Sequence, residues 1–394
     1  MQTTGVFDET LHARGDDTGL VGAFLPTACV QNHAANLCVL PDGDLGCVWF
    51  GGTQEGMSDI SVWFSRLGRG AARWSDPVRL SGDPDRSEQN PILFVAPDRR
   101  LWLLYTAQRF GNQDTAIVRC RTSDDAGRTW SAVATLIDRP GTFVRQPPYV
   151  AEDGAWLLPV FYCRAVPGEK WDGSNDISAV LRSSDGGRSW QEIVVPASLG
   201  CVHMNILRLA DRTLLAVFRS RWADHIHESR STDDGRTWSE PVATVLPNNN
   251  SSIQAKVLGN GHVVLVFNDA SAAQATARRV SLYDEIDDGE AAGEPQGAVA
   301  AKADTRKAFW GAPRAPLSIA LSRDGGRTWA HKRDLEIGDG FCMTNNSEAK
   351  LNRELSYPSV IQDGEGAIHV AFTYFRQRIK YIRLTEAWIA GVAG

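Results

Sequence analysis

Side chains able to do chemistry recur in one kind of place along this chain, at the ends of short apolar runs. Just ahead of such runs stand His33, Glu88, Arg145, His203, Asn250, and Glu354 with Tyr357. Just after the following runs stand Glu55, Gln108, Arg164, Arg219, Asn268 and Arg376. Gln254, at the opening of the fifth unit, is counted with the same set. Arginine offers a planar fork of donors that matches a carboxylate. Imidazole moves protons near neutral pH. A glutamate can serve as general acid or base. A phenol is a weak nucleophile that needs a neighbouring base, and His203 and Glu354 are the candidates. Each residue also has a plainer reading. A lone histidine is more often structural, a loop glutamate is usually solvated, and an arginine can simply pair with an inner acid such as Glu354.

These residues are far apart in sequence, so a repeated architecture must gather them. One octet, S-x-D-x-G-x-[ST]-W, recurs at residues 123–130, 183–190, 231–238 and 322–329. A worn copy at residues 65–74 keeps only Ser65 and Trp74. Within the octet, Asp accepts hydrogen bonds from its own turn, Gly supplies a positive φ and Trp plugs the space beneath. The octet aspartates are therefore read as folding residues and not as catalysts. Around each octet, alternating apolar runs and turn residues predict strands, and helical periodicity is nearly absent outside residues 385–390. Six such units are counted, which predicts an all-β, six-bladed propeller. The whole chain is read as one domain. A segment within residues 1–30 is expected to close the last blade, and residues 270–313 form an insertion in blade five. That insertion is rich in Ala, Gly and acids. It is expected to be partly disordered, with Phe309 and Trp310 lying over the pocket.

In such a ring, the start of each blade's first strand and the end of its second strand face one end of the central channel. Polar residues at six such places predict a polar pocket there.

Composition limits the partners. The formal net charge is -6, which argues against a nucleic-acid surface. No run of eighteen apolar residues is present, so no membrane-spanning helix is expected. The first residues carry neither a basic segment nor an apolar one, so no signal peptide is read and a cytoplasmic location is expected. Seven scattered cysteines suit free thiols in a reducing compartment. Cysteine and histidine do not cluster at zinc spacing, and neither a metal nor a cofactor is expected.

The octets are Asp-box, or BNR, motifs, and residues 31–384 resemble the sialidase (neuraminidase) superfamily. The resemblance implies a site, residue by residue. Glu55, five residues before Ile60, fits the position of the family's acid/base carboxylate, usually Asp. Arg219 ends blade four's second strand and Arg314 precedes blade five's third strand, as two of the family's three arginines do. Tyr357, in Ser356-Tyr357-Pro358-Ser359, fits the nucleophilic tyrosine that opens blade six. The chain departs from the pattern twice. His33 stands where the first arginine is usual, and His203 stands where the tyrosine's glutamate partner is usual. The resemblance thus implies the family scaffold with altered chemistry.

Three functions follow as expectations. The first is a sialidase-like exo-glycoside hydrolase for a terminal acidic sugar, with Glu55 as general acid/base, Tyr357 as nucleophile and His203 or Glu354 as its base. In that reading His33, Arg145, Arg219, Arg314, Gln254 and Arg376 bind the sugar. The second is a uronate-directed lyase using histidine and tyrosine for β-elimination. The third is a carbohydrate-binding propeller without turnover.

Overall fold

The computed structural model describes residues 7–14, 17–109, 111–279 and 306–391. Six antiparallel sheets follow one another along the chain as the blades of a propeller. Blade one contains Gln31–Val39, Leu45–Gly52, Ser61–Leu67 and Val78–Arg79. Blade two contains Ser87–Val95, Leu101–Arg109, Asn112–Ser123 and Ala134–Ile137. In blade three, Thr142–Phe143 and Tyr149–Val150 both pair with Trp156–Tyr162, followed by Ile177–Ser183 and Gln191–Val194. Blade four runs from Cys201–Arg208 to Val242–Pro247, and blade five from Gln254–Val257 to His331–Glu336. Blade six contains Leu355–Gln362, Ile368–Tyr374 and Arg378–Leu384, and Asp17–Phe24 pairs on its outer edge. That last pairing covers a sheet edge that would otherwise present unpaired backbone groups.

Apolar faces of successive blades pack on one another. Val48, Val62 and Phe64 of blade one meet Leu93, Leu101 and Leu103 of blade two, all within one buried cluster. Each such side chain contributes about 1.5–3 kcal/mol by leaving water. The Asp boxes are local devices. Asp125 accepts from the backbone N–H of Thr129 at 2.8 Å and from its hydroxyl at 2.6 Å, and the Ser123 hydroxyl accepts from Gly127 at 2.8 Å. Asp185, Asp233 and Asp324 repeat the pattern. In the worn copy, Trp74 is fully buried and meets the Tyr381 ring edge-on at 5.3 Å.

In blades one, two and four the polar residues expected just ahead of the first strand are instead inside it, and in blade six Tyr357 is, whereas Arg145, Asn250 and Glu354 stand outside the strands as expected. The first strands of blades one, two and four begin at Gln31, Ser87 and Cys201, earlier than the apolar runs alone suggest. A bulge separates the polar start from the apolar remainder, between His33 and Asn36, Gln89 and Ile92, Val202 and Asn205, and Ser356 and Ser359. One extra residue breaks the two-residue alternation, so the polar half does not read as strand. In blade three, Pro147 and Pro148 interrupt the strand, because proline cannot donate to the ladder.

All seven cysteines are free, and five are buried. Among the described residues, no helix is long and apolar enough to cross a membrane, and no group of three or more His, Cys, Asp or Glu is placed to hold a metal ion. The expected disorder of the blade-five insertion concerns residues 280–305, which lie outside the described residues.

Candidate active site

The bulges aim the site. Ala34, Asn90, His203, Asn250 and Tyr357 all have positive φ, between 49° and 61°, at the inner strands of five blades or just ahead of them. A non-glycine residue there costs about 1–2 kcal/mol. That cost is tolerated where the surrounding sheet enforces it, and such residues gather at functional sites. Tyr357 and His203 are both held this way, and both are nearly buried.

Tyr357 is the hub. Its hydroxyl accepts from Arg219 Nη1 at 2.6 Å. The guanidinium carbons of Arg145, Arg314 and Arg219 lie 5.4, 5.6 and 5.7 Å from its ring centre. The His33 ring lies 4.2 Å from it, and the His203 ring meets it edge-on at 5.8 Å.

Two acids counter the arginines. Glu354, with no exposed surface, accepts from Arg314 at 2.6 Å through Oε2 and pairs with Arg376 Nε through Oε1. Arg376 also donates to Glu55 Oε2 at 2.5 Å. Burial alone would raise the Glu354 carboxyl, but Arg376 and Arg314 overcome that and hold it below the usual range. Burial likewise presses on Arg376 and Arg314, but Glu354 dominates and raises both. Among the described residues Arg219 and Arg145 have no carboxylate partner, and burial lowers them to about 9 and about 10.

Burial, reinforced by the surrounding arginines, pushes His33 and His203 well below the ordinary imidazole range, so both are neutral near pH 7. His33 Nδ1 lies 2.8 Å from the Thr373 hydroxyl, and His203 Nδ1 lies 3.0 Å from the Ser252 hydroxyl.

One wall is aromatic. Trp310 is buried, its Nε1 donates to the Asp172 carbonyl at 2.9 Å, and Arg219 and Arg221 lie 5.7 and 5.2 Å from its ring. The Phe309 carbonyl accepts from Asn250 Nδ2 at 2.8 Å. These two residues, the end of the insertion, thus stand beside the arginines. Arg221 forms its own closed pair with Asp176, at 2.6 and 2.9 Å, joined by Trp171 Nε1 at 2.9 Å.

The residues singled out from sequence are not equally placed. Glu55, Arg376, Glu354, Arg314, Tyr357, Arg219, His203 and His33 form one connected group. Gln254 is spent on the channel wall. Its oxygen accepts from Ser359 and the Val360 N–H, and its nitrogen donates to Gln146. Arg145 is an anchor beneath the tyrosine, donating to Ser252 at 3.1 Å and to the carbonyls of Ala35, Tyr357 and Pro358 at 3.0–3.3 Å. Sequence reasoning missed Asp176, Ser252 and Thr373. Ser252 carried a faint signal, the polar run 248–252 that opens blade five. Asp176 and Thr373 carried none.

Formally, four guanidinium groups (Arg145, Arg219, Arg314 and Arg376) face two carboxylates (Glu55 and Glu354), which leaves two positive charges uncompensated. Uncompensated buried charge is costly, and an anionic ligand offsets it. Fold and site together define a propeller with a central, buried, arginine-rich cluster built around a tyrosine.

Residues 43–370 match the family model described as BNR repeat-like domain, and the chain belongs to that family. Solved structures share the fold. The Hadza microbial sialidase Hz136 superposes with a TM-score of 0.68 at 14% identity, over 93% of this chain and 69% of that one. The intramolecular trans-sialidase from Ruminococcus gnavus gives 0.64 at 11% identity, over 91% and 95%. A Dyadobacter fermentans protein of unknown function gives 0.64 at 13% identity, over 93% and 98%. No curated protein matches the chain in sequence.

Proposed function

We propose that this protein is a sialidase-like exo-glycoside hydrolase acting on a terminal acidic sugar. The observation that carries this reading is the excess of buried arginine around Tyr357. A sugar carboxylate bound to Arg219 and Arg314 supplies the missing negative charge. Glu55, a carboxylate in the resting site, first takes up a proton from solvent and then gives it to the leaving glycosidic oxygen as that bond breaks. Tyr357 Oη attacks the anomeric carbon, and its proton passes to His203 Nε2. Glu354 is less suited to that task because both its oxygens are held by arginines. Water then attacks the glycosyl-tyrosine, its proton returning to Glu55, while the tyrosine oxygen leaves and regains the proton from His203. Kinship with structures described as sialidases supports the reading at the level of fold.

A second reading is favoured by the two neutral imidazoles flanking Tyr357. On a uronate, an imidazole base would remove the proton next to the carboxylate and Tyr357 would protonate the departing oxygen, leaving a double bond in the sugar.

A panel of aryl glycosides of sialic, uronic and deoxy sugars, with uronate-containing oligosaccharides, tests both. Hydrolysis requires aryl alcohol release that falls by about 10²–10⁴-fold in Glu55→Gln. Unchanged activity in that variant would remove Glu55 from the mechanism. Product absorbing in the ultraviolet as an unsaturated uronate would replace hydrolysis with elimination.

A further inference from the structure

The two histidines beside Tyr357 are chemically unequal. His203 Nε2 lies 3.4 Å from Arg219 Nη1, and its Nδ1 lies 3.0 Å from Ser252 Oγ. A guanidinium only donates, so Nε2 must face it with a lone pair and the ring proton must sit on Nδ1. Ser252 Oγ then accepts that proton's hydrogen bond. The same oxygen accepts from Arg145 Nε at 3.1 Å. Arg145 cannot turn away, because its Nη2 is tied to three backbone carbonyls, including that of Tyr357 itself. His33 lacks this constraint. Its Nδ1 faces Thr373 Oγ1, a hydroxyl able to donate or accept, and its Nε2 is buried without a hydrogen-bond partner.

We infer that Ser252, oriented by Arg145, is a positioning residue that acts with Arg219 across the ring to hold His203 as the Nδ1–H tautomer, and that keeps the Nε2 lone pair on the side of Tyr357 when Arg219 is drawn away. The mask on that lone pair is Arg219, whose Nη1 is shared between His203 Nε2 and the Tyr357 hydroxyl. A carboxylate that draws Arg219 toward itself uncovers the base beside the hydroxyl it must deprotonate. Idle tyrosine stays quiet, and substrate itself readies the nucleophile. This catalytic consequence rests on the hydrolytic reading above, whereas the tautomer does not.

The neighbours of His203 leave few other choices. Phe161 lies 5.0 Å from its ring and Tyr357 closes another side. The charged groups bearing on it are Arg219, Arg221, Arg145 and Arg314. No carboxylate is paired with it among the described residues.

Two-bond ¹H–¹⁵N correlation spectra of the full chain, labelled with ¹⁵N-histidine, read the tautomer directly. The His203 signals are assigned by their loss in His203→Gln. Wild type should show the Nδ1–H pattern, and Ser252→Ala should mix in the Nε2–H form, with Ser252→Thr restoring the original. An Nε2–H pattern in wild type overturns the proposal. So does a tautomer indifferent to Ser252→Ala. Should Ser252→Ala fail to fold, the wild-type and Ser252→Thr spectra still decide the tautomer. On the aryl glycoside that wild type turns over, Ser252→Ala should lose about tenfold in kcat, the rate equivalent of one hydrogen bond, with KM nearly unchanged. A rise in KM alone would refute positioning. Absence of turnover in wild type would sink the hydrolytic reading, while the spectra judge the tautomer separately.

Discussion

Glu354 is the carboxylate on which the centre's charge balance turns, and Glu354→Gln isolates its contribution. The substitution keeps the shape but removes the charge shared by Arg314 and Arg376, and its amide nitrogen, a donor, replaces one of the two oxygens that face them. The formal excess of positive charge in the centre then rises from two to three. Removing one partner of a buried pair costs about 3–5 kcal/mol. Unfolding entropy of about 2.1 cal/mol/K per residue gives about 0.8 kcal/mol/K for a chain of this length. The variant should therefore melt about 4–6 °C below wild type at neutral pH. The pH dependence carries a definite sign. The folded carboxyl lies below its usual value, because Arg376 and Arg314 outweigh the effect of burial. Its stabilisation is complete above the unfolded value of about 4.3 and is lost as pH falls through the folded one. The gap between wild type and variant should narrow as pH falls below the unfolded value and through the lower folded one, where the carboxyl loses its charge as the amide has. Scanning calorimetry across that range is the assay. A variant as stable as wild type at neutral pH, or a gap that persists in acid, would refute the charge-balance argument.

Three further outcomes are expected. Tyr357→Phe removes the acceptor of Arg219, so turnover of an acidic aryl glycoside should fall at least about 100-fold while binding of the free acidic sugar, followed by calorimetric titration, persists. Equal loss of binding and turnover would argue that the hydroxyl only positions Arg219. Because burial and Arg376 keep His33 neutral in the fold, the unfolded chain takes up a proton near about pH 6.5 that the folded chain refuses. Stability is then full above about pH 6.5 and falls below it, and His33→Gln should lose less melting temperature between about pH 7 and about pH 5 than wild type does. In the Asp box of blade five, Asp324→Ala removes the acceptor of the Thr328 hydroxyl and N–H. Melting temperature should drop with sugar binding unchanged, and the reverse pattern would give that aspartate a role beyond folding.

Much of the ring was legible in the chain because its signals are local. An Asp box closes on itself within eight residues, so S-x-D-x-G-x-[ST]-W names a turn wherever it occurs. The second strand of each blade is a short, largely apolar run with turn residues near its ends. Inner strands were read short because their bulges break the alternation, as at His33 to Asn36 and at Val202 to Asn205. Residue types at the site were legible too, since polar groups beside apolar runs stand out in six units.

What each of those polar groups does was a matter of three-dimensional pairing. By itself the sequence determined an all-β ring with a polar centre, and it singled out Tyr357, Glu55 and the arginines as candidates for chemistry. Only the tertiary structure decided that Glu354 bridges Arg314 and Arg376, that Arg221 is closed off by Asp176, and that Gln254 and Arg145 serve the channel wall. The physical reason is reach. A hydrogen bond or ion pair is decided by separations of a few ångström between side chains that can stand 321 residues apart, as Glu55 and Arg376 do. No pattern within a blade encodes such a distance, which arises only when the ring closes and the inner strands converge.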